Sequence, residues 1–281
     1  MCCISRGNEY DGEDTLSWWG KLAGGAFGFV LGGPLGALLG AVLGHNLDRG
    51  LKALESEALE PGDRERVQTA FFTATFTVMG HLAKVDGQVS REEIAMAEAV
   101  MARMELDTET REAAIRLFNR GKQPDFPLDE VLDQFRSECH RRSTLIQMFI
   151  EIQLQAALAS GKIEPAEERV LLHICNRLGV PEFLFRQLLR MIEAERRYTS
   201  DSARHQDTAQ KPTLKDAYAI LNISSNVSDA EVKRAYRRLM NQHHPDKLVA
   251  KGLPEEMMKS AADKTHEIRQ AYEQIKSARG I

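Results

Sequence analysis

The chain has 281 residues with a net charge of -4, and 43% of them are hydrophobic against 28% charged. That length accommodates about two domains, and the balance excludes both a disordered polyelectrolyte and a uniformly basic nucleic-acid binder. Cys2, Cys3, Cys139 and Cys175 show no C-x-x-C spacing, which excludes a disulfide framework or a thiolate zinc site and points to a reducing compartment.

The charge is unevenly placed. Residues 213–281 hold 12 Lys+Arg against 9 Asp+Glu, so the C-terminal end is positive and the remainder negative.

After a short tail (1–15) comes a stretch from Leu22 to Gly44 without a single charge, 23 residues in all. At about 1.5 Å per residue this makes a helix of about 34 Å, enough to cross a bilayer. A transmembrane helix over 16–45 is therefore expected. Within it Gly24, Gly28, Gly32, Gly36, Gly40 and Gly44 recur at every fourth position. Glycine disfavours helices in water, as does the Gly32-Gly33-Pro34 step. In lipid the backbone must satisfy itself internally, and a ridge without side chains lets two helices approach closely. The ridge predicts a homodimer through the span. Trp18 and Trp19 stand where an interfacial belt would. Acidic Glu9, Asp11, Glu13 and Asp14 precede the span, and basic Arg49, Lys52, Arg64 and Arg66 follow it. The positive side is C-terminal, which predicts a periplasmic N-terminus and cytoplasmic C-terminal domains in a single-pass inner-membrane protein. The alternative is a buried glycine-rich helical hairpin bent at Gly33-Pro34.

A juxtamembrane connector (46–62) leads to a region from 63 to 197 that reads as helical throughout. Ser90 with Glu93 forms a capping box, Asp107 can cap the following helix, and Gly121 and Gly179 stand at helix ends. Residues 85–106 align with 159–180 at an offset of 74, pairing Gly87 with Gly161, Val89 with Ile163, Ala97 with Leu171 and Met101 with Cys175. Two similar helix-turn-helix units are implied. This arrangement resembles the tellurite-resistance TerB-like helical domain across about residues 65 to 196. The resemblance implies metal binding by acidic residues near the turns, with Asp86, Glu92, Glu93, Glu164, Glu167 and Glu168 as candidates. Ser160 occupies the place equivalent to Asp86, so a two-turn site would be lopsided. On the residues themselves, Asp86-Gly87 makes a turn and the glutamates favour helix N-termini, which needs no metal. A polar stretch at 198–212, ending in Pro212, predicts a flexible linker.

In the last segment (213–281), Leu214, Ala217, Tyr218 and Leu221 form a short helical stripe ending near Asn222, which tolerates a left-handed cap. Ser228 and Glu231 make a capping box that opens EVKRAYRRLMNQ. At 100° per residue its apolar Val232, Ala235, Tyr236, Leu239 and Met240 share one face, and Lys233, Arg234, Arg237 and Arg238 share the other. His243-His244-Pro245-Asp246-Lys247 follows, then a helix from about Pro254 with Met258, Ala261, Thr265, Ile268, Tyr272 and Ile275 on its stripe. Two antiparallel helices with a loop at the tip are expected.

DAYAILNI, KRAYRRLMNQHHPDK and EIRQAYEQI resemble the J-domain of DnaJ-type co-chaperones in order and spacing. With the glycine helix and the TerB-like centre, the whole chain resembles the membrane-anchored DnaJ-like co-chaperones of bacteria. The fold class is then all-α: one N-terminal transmembrane helix, a TerB-like helical domain, and a C-terminal J-domain with a helical hairpin. The resemblance implies docking on a DnaK-type chaperone through His244, Pro245, Asp246, Lys233, Arg234, Arg237 and Arg238, with acceleration of the partner's ATP hydrolysis. Neither a Gly/Phe-rich segment nor repeated C-x-x-C-x-G-x-G is present, and no G-x-x-x-x-G-K-[ST] loop would bind a nucleotide cofactor here. The chain reads as a co-chaperone and not an enzyme. His243 and His244 lack two further ligands nearby for a metal. Four basic charges without interleaved aromatics make a poor nucleic-acid footprint. The rival reading is a metal-binding stress-response protein acting through its TerB-like domain.

Overall fold

The segment TAFFTATFTVMG mixes phenylalanines with threonines and has no polar face, a pattern that suits a helix enclosed on all sides. In the computed structural model, which describes residues 32–43, 63–85, 87, 91–104, 106–204, 213–253 and 258–280, it is such a helix. Every residue from Val67 to Gly80 is buried. The threonines are tolerated because a hydroxyl can bond back along the helix: Thr77 Oγ1 donates to the Thr73 carbonyl at 2.7 Å and Thr69 Oγ1 to that of Glu65 at 2.8 Å.

Among the described residues all regular structure is helical. The order is α1 (Gly33–Leu43), α2 (Asp63–Leu82), α3 (Arg91–Arg103), α4 (Thr108–Gly121), α5 (Leu128–Glu138), α6 (Ser143–Ala157), a 3₁₀ turn (Leu158–Ser160), α7 (Pro165–Arg177), α8 (Glu182–Arg204), α9 (Leu214–Ile220), α10 (Asp229–Gln242), α11 (Pro245–Ala250) and α12 (Met258–Arg279). Helices α1, α4, α5, α6 and α7 surround α2. Phe71, Phe135 and Phe149 meet at its centre with ring centroids 4.7 to 6.5 Å apart. The thiols of Cys139 and Cys175 are free and buried, and burial pushes each up to about 12, so both stay protonated core groups.

The expected terminators behave as their residues dictate. Asp107 accepts the Thr110 N–H at 2.7 Å. Gly179 has φ of 73° and closes α7, with Val180 N–H donating to the Cys175 carbonyl at 2.8 Å. Asn222 takes the same left-handed role after α9, with φ of 52°. Gly87 and Gly161, paired by the internal repeat, both have positive φ, 92° and 110°, so the repeat is a backbone feature as well as a sequence one. Gly121 ends α4 as expected, but without a left-handed φ, and a Cβ there would lie 1.8 Å from the Thr77 carbonyl oxygen. Close approach of α2 and α4, not the cap, requires glycine there.

Two segments bear on continuity. Of the helix expected over 16–45 the described part is Gly33–Leu43, opened by left-handed Gly32 and Gly33 (φ 58° and 57°), and residues 16–31 and 44–45 lie outside the described residues. Gln134 of α5 holds that start, accepting the Leu35 N–H at 2.8 Å and donating to the Gly32 carbonyl at 2.9 Å. Leu35, Leu38, Leu39 and Val42 are buried against the TerB-like helices. Among the described residues no helix is long and apolar enough to cross a membrane. Second, α8 continues to Arg204, through the first residues of the segment expected as a linker from 198.

The C-terminal segment forms the expected hairpin. Helices α10 and α12 pack together with Tyr236 stacked on Tyr272 at 4.2 Å, and α9 lies against α12. Arg279 ties the far end: its guanidinium donates to Tyr218 Oη at 2.6 Å, Asp229 at 2.9 Å, and the Val227 and Ser225 carbonyls at 2.7 Å each. This segment also packs on α8. Ala194 joins the core of the hairpin, while Leu248, Leu253 and Ala261 join the core around α2.

Candidate functional site

The site begins at the N-terminus of α10. The Ser228 N–H donates to Glu231 Oε2 at 2.9 Å, and the Glu231 N–H donates to Ser228 Oγ at 3.3 Å. The Ser228 N–H and the Ser228 hydroxyl, both donating to Glu231 Oε2, hold that carboxyl below the usual carboxylate range, and the reciprocal bonds fix where the helix starts. With the start fixed, the helical period decides each residue's face. Val232, Ala235 and Leu239 are buried, and Lys233, Arg234, Arg237 and Arg238 are all exposed. No salt bridge to a described residue occupies any of the four. A row of exposed cations on a rigid helix is suited to steering and orienting an acidic surface.

His243 ends α10, its N–H donating to the Leu239 carbonyl at 3.0 Å. The next three residues were expected as a loop, but they begin a further helix. His244 is the N-cap of α11, Pro245 occupies the first helical position and Asp246 lies in the first turn. The reason is local: proline at N1 forfeits no hydrogen bond and has the required φ. The His244 carbonyl accepts from the Lys247 and Leu248 N–H groups at 3.1 Å each, and Gly252, with φ of 99°, closes the element. Lys247 Nζ donates to Asn241 Oδ1, bracketing the turn from the α10 side.

The exposed tip is therefore rigid and chemically simple. The His244 side chain is 47% exposed and that of Asp246 79%, with His244 Nδ1 4.0 Å from Asp246 Oδ2. The Asp246 carboxylate makes no hydrogen bond to a described residue, which leaves it open to donors from a partner. Cation row and carboxylate are set on adjoining elements, so one partner surface would need an acidic patch beside a donor such as arginine.

The described acidic candidates of the TerB-like region, Glu164, Glu167 and Glu168, are occupied otherwise. Glu164 and Glu167 form a capping box at α7, the Glu164 N–H donating to Glu167 Oε2 at 2.7 Å, and Lys162 Nζ pairs with Glu164 at 2.9 Å. Glu168 pairs with Arg186 of α8. Among the described residues no group of three or more His, Cys, Asp or Glu is arranged to hold a metal ion. Asp86 and the side chains of Glu92 and Glu93 lie outside the described residues, as do Ser90, Gly24, Gly28 and Gly44. Of the remaining glycines of the ridge, Gly36 is buried and Gly40 half-buried, with nothing within 4 Å of a Cβ built at Gly40.

Sequence reading missed a buried ion pair between Lys264 of α12 and Glu195 of α8, each side chain under a tenth exposed. A signal existed: Lys264 falls three residues after Ala261 and four before Ile268, on the apolar stripe.

Comparison with known proteins agrees with this geometry along the chain. The family model of the co-chaperone DjlA transmembrane domain matches residues 16–54, that of tellurite resistance protein TerB residues 72–190, and that of the DnaJ domain residues 216–279. The co-chaperone protein DjlA of Coxiella burnetii is 44% identical over 273 residues, covering 95% of this chain and all of its own. Those of Photorhabdus laumondii and Escherichia coli O157:H7 are each 43% identical, again over 95% of this chain and all of their own. No solved structure gives a significant match. With a transmembrane module, a TerB domain and a J-domain in this order, and relatives matched end to end, the chain belongs to the DjlA family of membrane-anchored J-domain co-chaperones.

Proposed function

We propose that the chain stimulates the ATPase of a cytoplasmic DnaK-type chaperone and recruits it to the inner membrane. One observation carries the reading: exposed His244 and Asp246 flank half-buried Pro245 in a rigid helix start, beside an exposed cationic row at Lys233, Arg234, Arg237 and Arg238 that makes no salt bridge to a described residue. The cations set the approach and register of an acidic partner surface, and Asp246 accepts charge-assisted hydrogen bonds once docked. Pro245 and the bonds to the His244 carbonyl order the loop beforehand, which reduces the entropy lost on binding. ATP is bound and cleaved by the partner.

The anchoring segment places the N-terminus in the periplasm and both folded domains in the cytoplasm, in keeping with the basic residues Arg49, Lys52, Arg64 and Arg66 after it. Two copies associate through the glycine ridge. The test is steady-state ATP turnover by a DnaK-type chaperone with the full chain in nanodiscs. Wild type raises turnover and His244→Gln does not; equal stimulation by the two would refute the proposal. Cysteine labelling on either side of the segment tests the topology, and periplasmic exposure of the hairpin would contradict it.

A further inference from the structure

In most of the hairpin the polar residues of α12 face solvent, but around Lys264 they do not. Lys264 donates to Glu195 of α8 in a buried pair. Next to it, His243 is 4% exposed and lines a small cavity with Met148, Glu151, Ile152, Lys264 and Glu267. His243 directly precedes the exposed tip. The chain after the tip is buried too: Leu248 and Leu253 are at most 1% exposed within the core around α2, and the Leu253 carbonyl accepts from Gln68 Nε2 at 3.4 Å. Between them Gly252 comes so close to α2 that a Cβ there would lie 2.9 Å from Val67 Cγ1. At the rim Lys251 Nζ donates to Thr144 Oγ1 at 3.0 Å, and Arg197 Nε to Asp216 Oδ1 at 3.2 Å.

Both anchors of the tip are thus rooted in the other domain, while His244, Asp246 and the four cations remain outside the contact. Docking that covered the recognition surface would inhibit; docking that grips its roots holds it in place. A buried ion pair adds little net stability against an apolar pair, yet it penalises other registers, because displacement parts two buried opposite charges from each other.

We infer that the TerB-like domain is the scaffold that fixes the chaperone-recognition tip, with Glu195, Lys264 and His243 as positioning residues, so that the two domains meet the chaperone as one body. This deepens the proposed co-chaperone function and rests on it. Undocking then leaves the recognition residues intact but loosens their arrangement. Apparent affinity falls with the fraction of tips correctly arranged, while the saturated rate is kept.

The test uses the full chain in nanodiscs with Cys2 and Cys3 replaced by serine. Thr144→Cys and Lys251→Cys report docking through a short bismaleimide. Glu195→Lys lies wholly on the TerB side, so it opposes Lys264 without altering the hairpin's own core; Glu195→Lys with Lys264→Glu restores opposite charges between the two positions, with Glu151→Gln added in both chains to remove the carboxylate that faces position 264 from α6. We expect crosslinking in the parent, its loss in Glu195→Lys and its return in the double reversal. In ATPase titrations of chains without the reporter cysteines, the half-saturating concentration rises about fivefold or more in Glu195→Lys, with the maximum retained, and recovers in the double reversal. No crosslink in the parent overturns the docking. Lost crosslinking with an unchanged titration overturns the positioning role. The underlying function is judged separately, by whether the parent stimulates and its His244→Gln form does not.

Discussion

Replacing Gly80 by alanine sets two physical effects against each other. Gly80 lies near the C-terminal end of α2, and helix propensity alone predicts that alanine there stabilises by up to about 1 kcal/mol. The structure predicts the opposite sign. A Cβ at Gly80 would sit 2.0 Å from the Phe118 carbonyl oxygen and 2.8 Å from its carbon. Both are backbone atoms of α4, so no side chain can turn away. Even a very tight contact of 3.0 Å requires the helices to part by about 1 Å, and the facing Gly121 meets Thr77 in the same way. Overpacking of this kind costs typically 1–3 kcal/mol and sometimes more. With backbone on the other side we take about 3 kcal/mol, leaving a net loss of about 2 kcal/mol after the propensity gain. At about 2–4 °C per kcal/mol for a domain of this size, the melting temperature should fall by about 4–8 °C. Circular dichroism of the full chain in detergent reads it. An unchanged or raised melting temperature in Gly80→Ala would refute the close α2–α4 crossing.

Four further outcomes are expected. Burial depresses the pKa of His243 below its ordinary 6.5, against the pull of Glu151 and with repulsion from Lys264. A depressed value contributes stability above the unfolded pKa that is lost as pH falls through the folded one. The urea midpoint should therefore drop between pH 7.5 and 5.5, and His243→Phe should flatten the dependence; half-buried His81, shifted the same way, retains its share. Arg279→Met removes the fork to Tyr218, Asp229 and two carbonyls, and should raise amide exchange over residues 214–227 while leaving 143–177 unchanged. Gly40→Leu should weaken self-association of the anchor in membranes, as Gly40 has open space where a Cβ would go. It is a cleaner test than Gly32, whose backbone is left-handed, or the buried Gly36. Raising salt from low to physiological strength should reduce stimulation of the chaperone, and Arg237→Ala with Arg238→Ala should reduce that sensitivity.

Much of the recognition site is legible in the sequence because its determinants are local. A capping box fixes the phase of α10, and phase sorts Lys233, Arg234, Arg237 and Arg238 from Val232, Ala235 and Leu239. The left-handed Asn222 and Gly179 are local in the same sense. What escaped depends on partners far along the chain. Gly121 reads as a helix stop, but its necessity comes from Thr77 on another helix. Lys264 stands on the apolar stripe of α12, but its partner Glu195 lies 69 residues earlier and nothing local to either residue announces the pairing. The polar composition after 197 favours a linker, and neighbouring helical context overrides it as far as Arg204. At Pro245, proline was read as a loop residue, whereas at the first position of a helix it is favourable.

The central claim is that an open carboxylate on a rigid tip does the final work of engaging the chaperone. Asp246→Asn tests it most directly, since the change is isosteric and the Asp246 carboxylate makes no hydrogen bond to a described residue, only a 4.0 Å approach to His244 Nδ1, so the fold should keep its melting temperature. In single-turnover ATP hydrolysis by a DnaK-type chaperone, loss of charge-assisted bonds worth about 1.5–3 kcal/mol predicts that stimulation by Asp246→Asn falls about 10- to 100-fold below wild type. Stimulation equal to wild type from an equally stable Asp246→Asn chain would contradict the account.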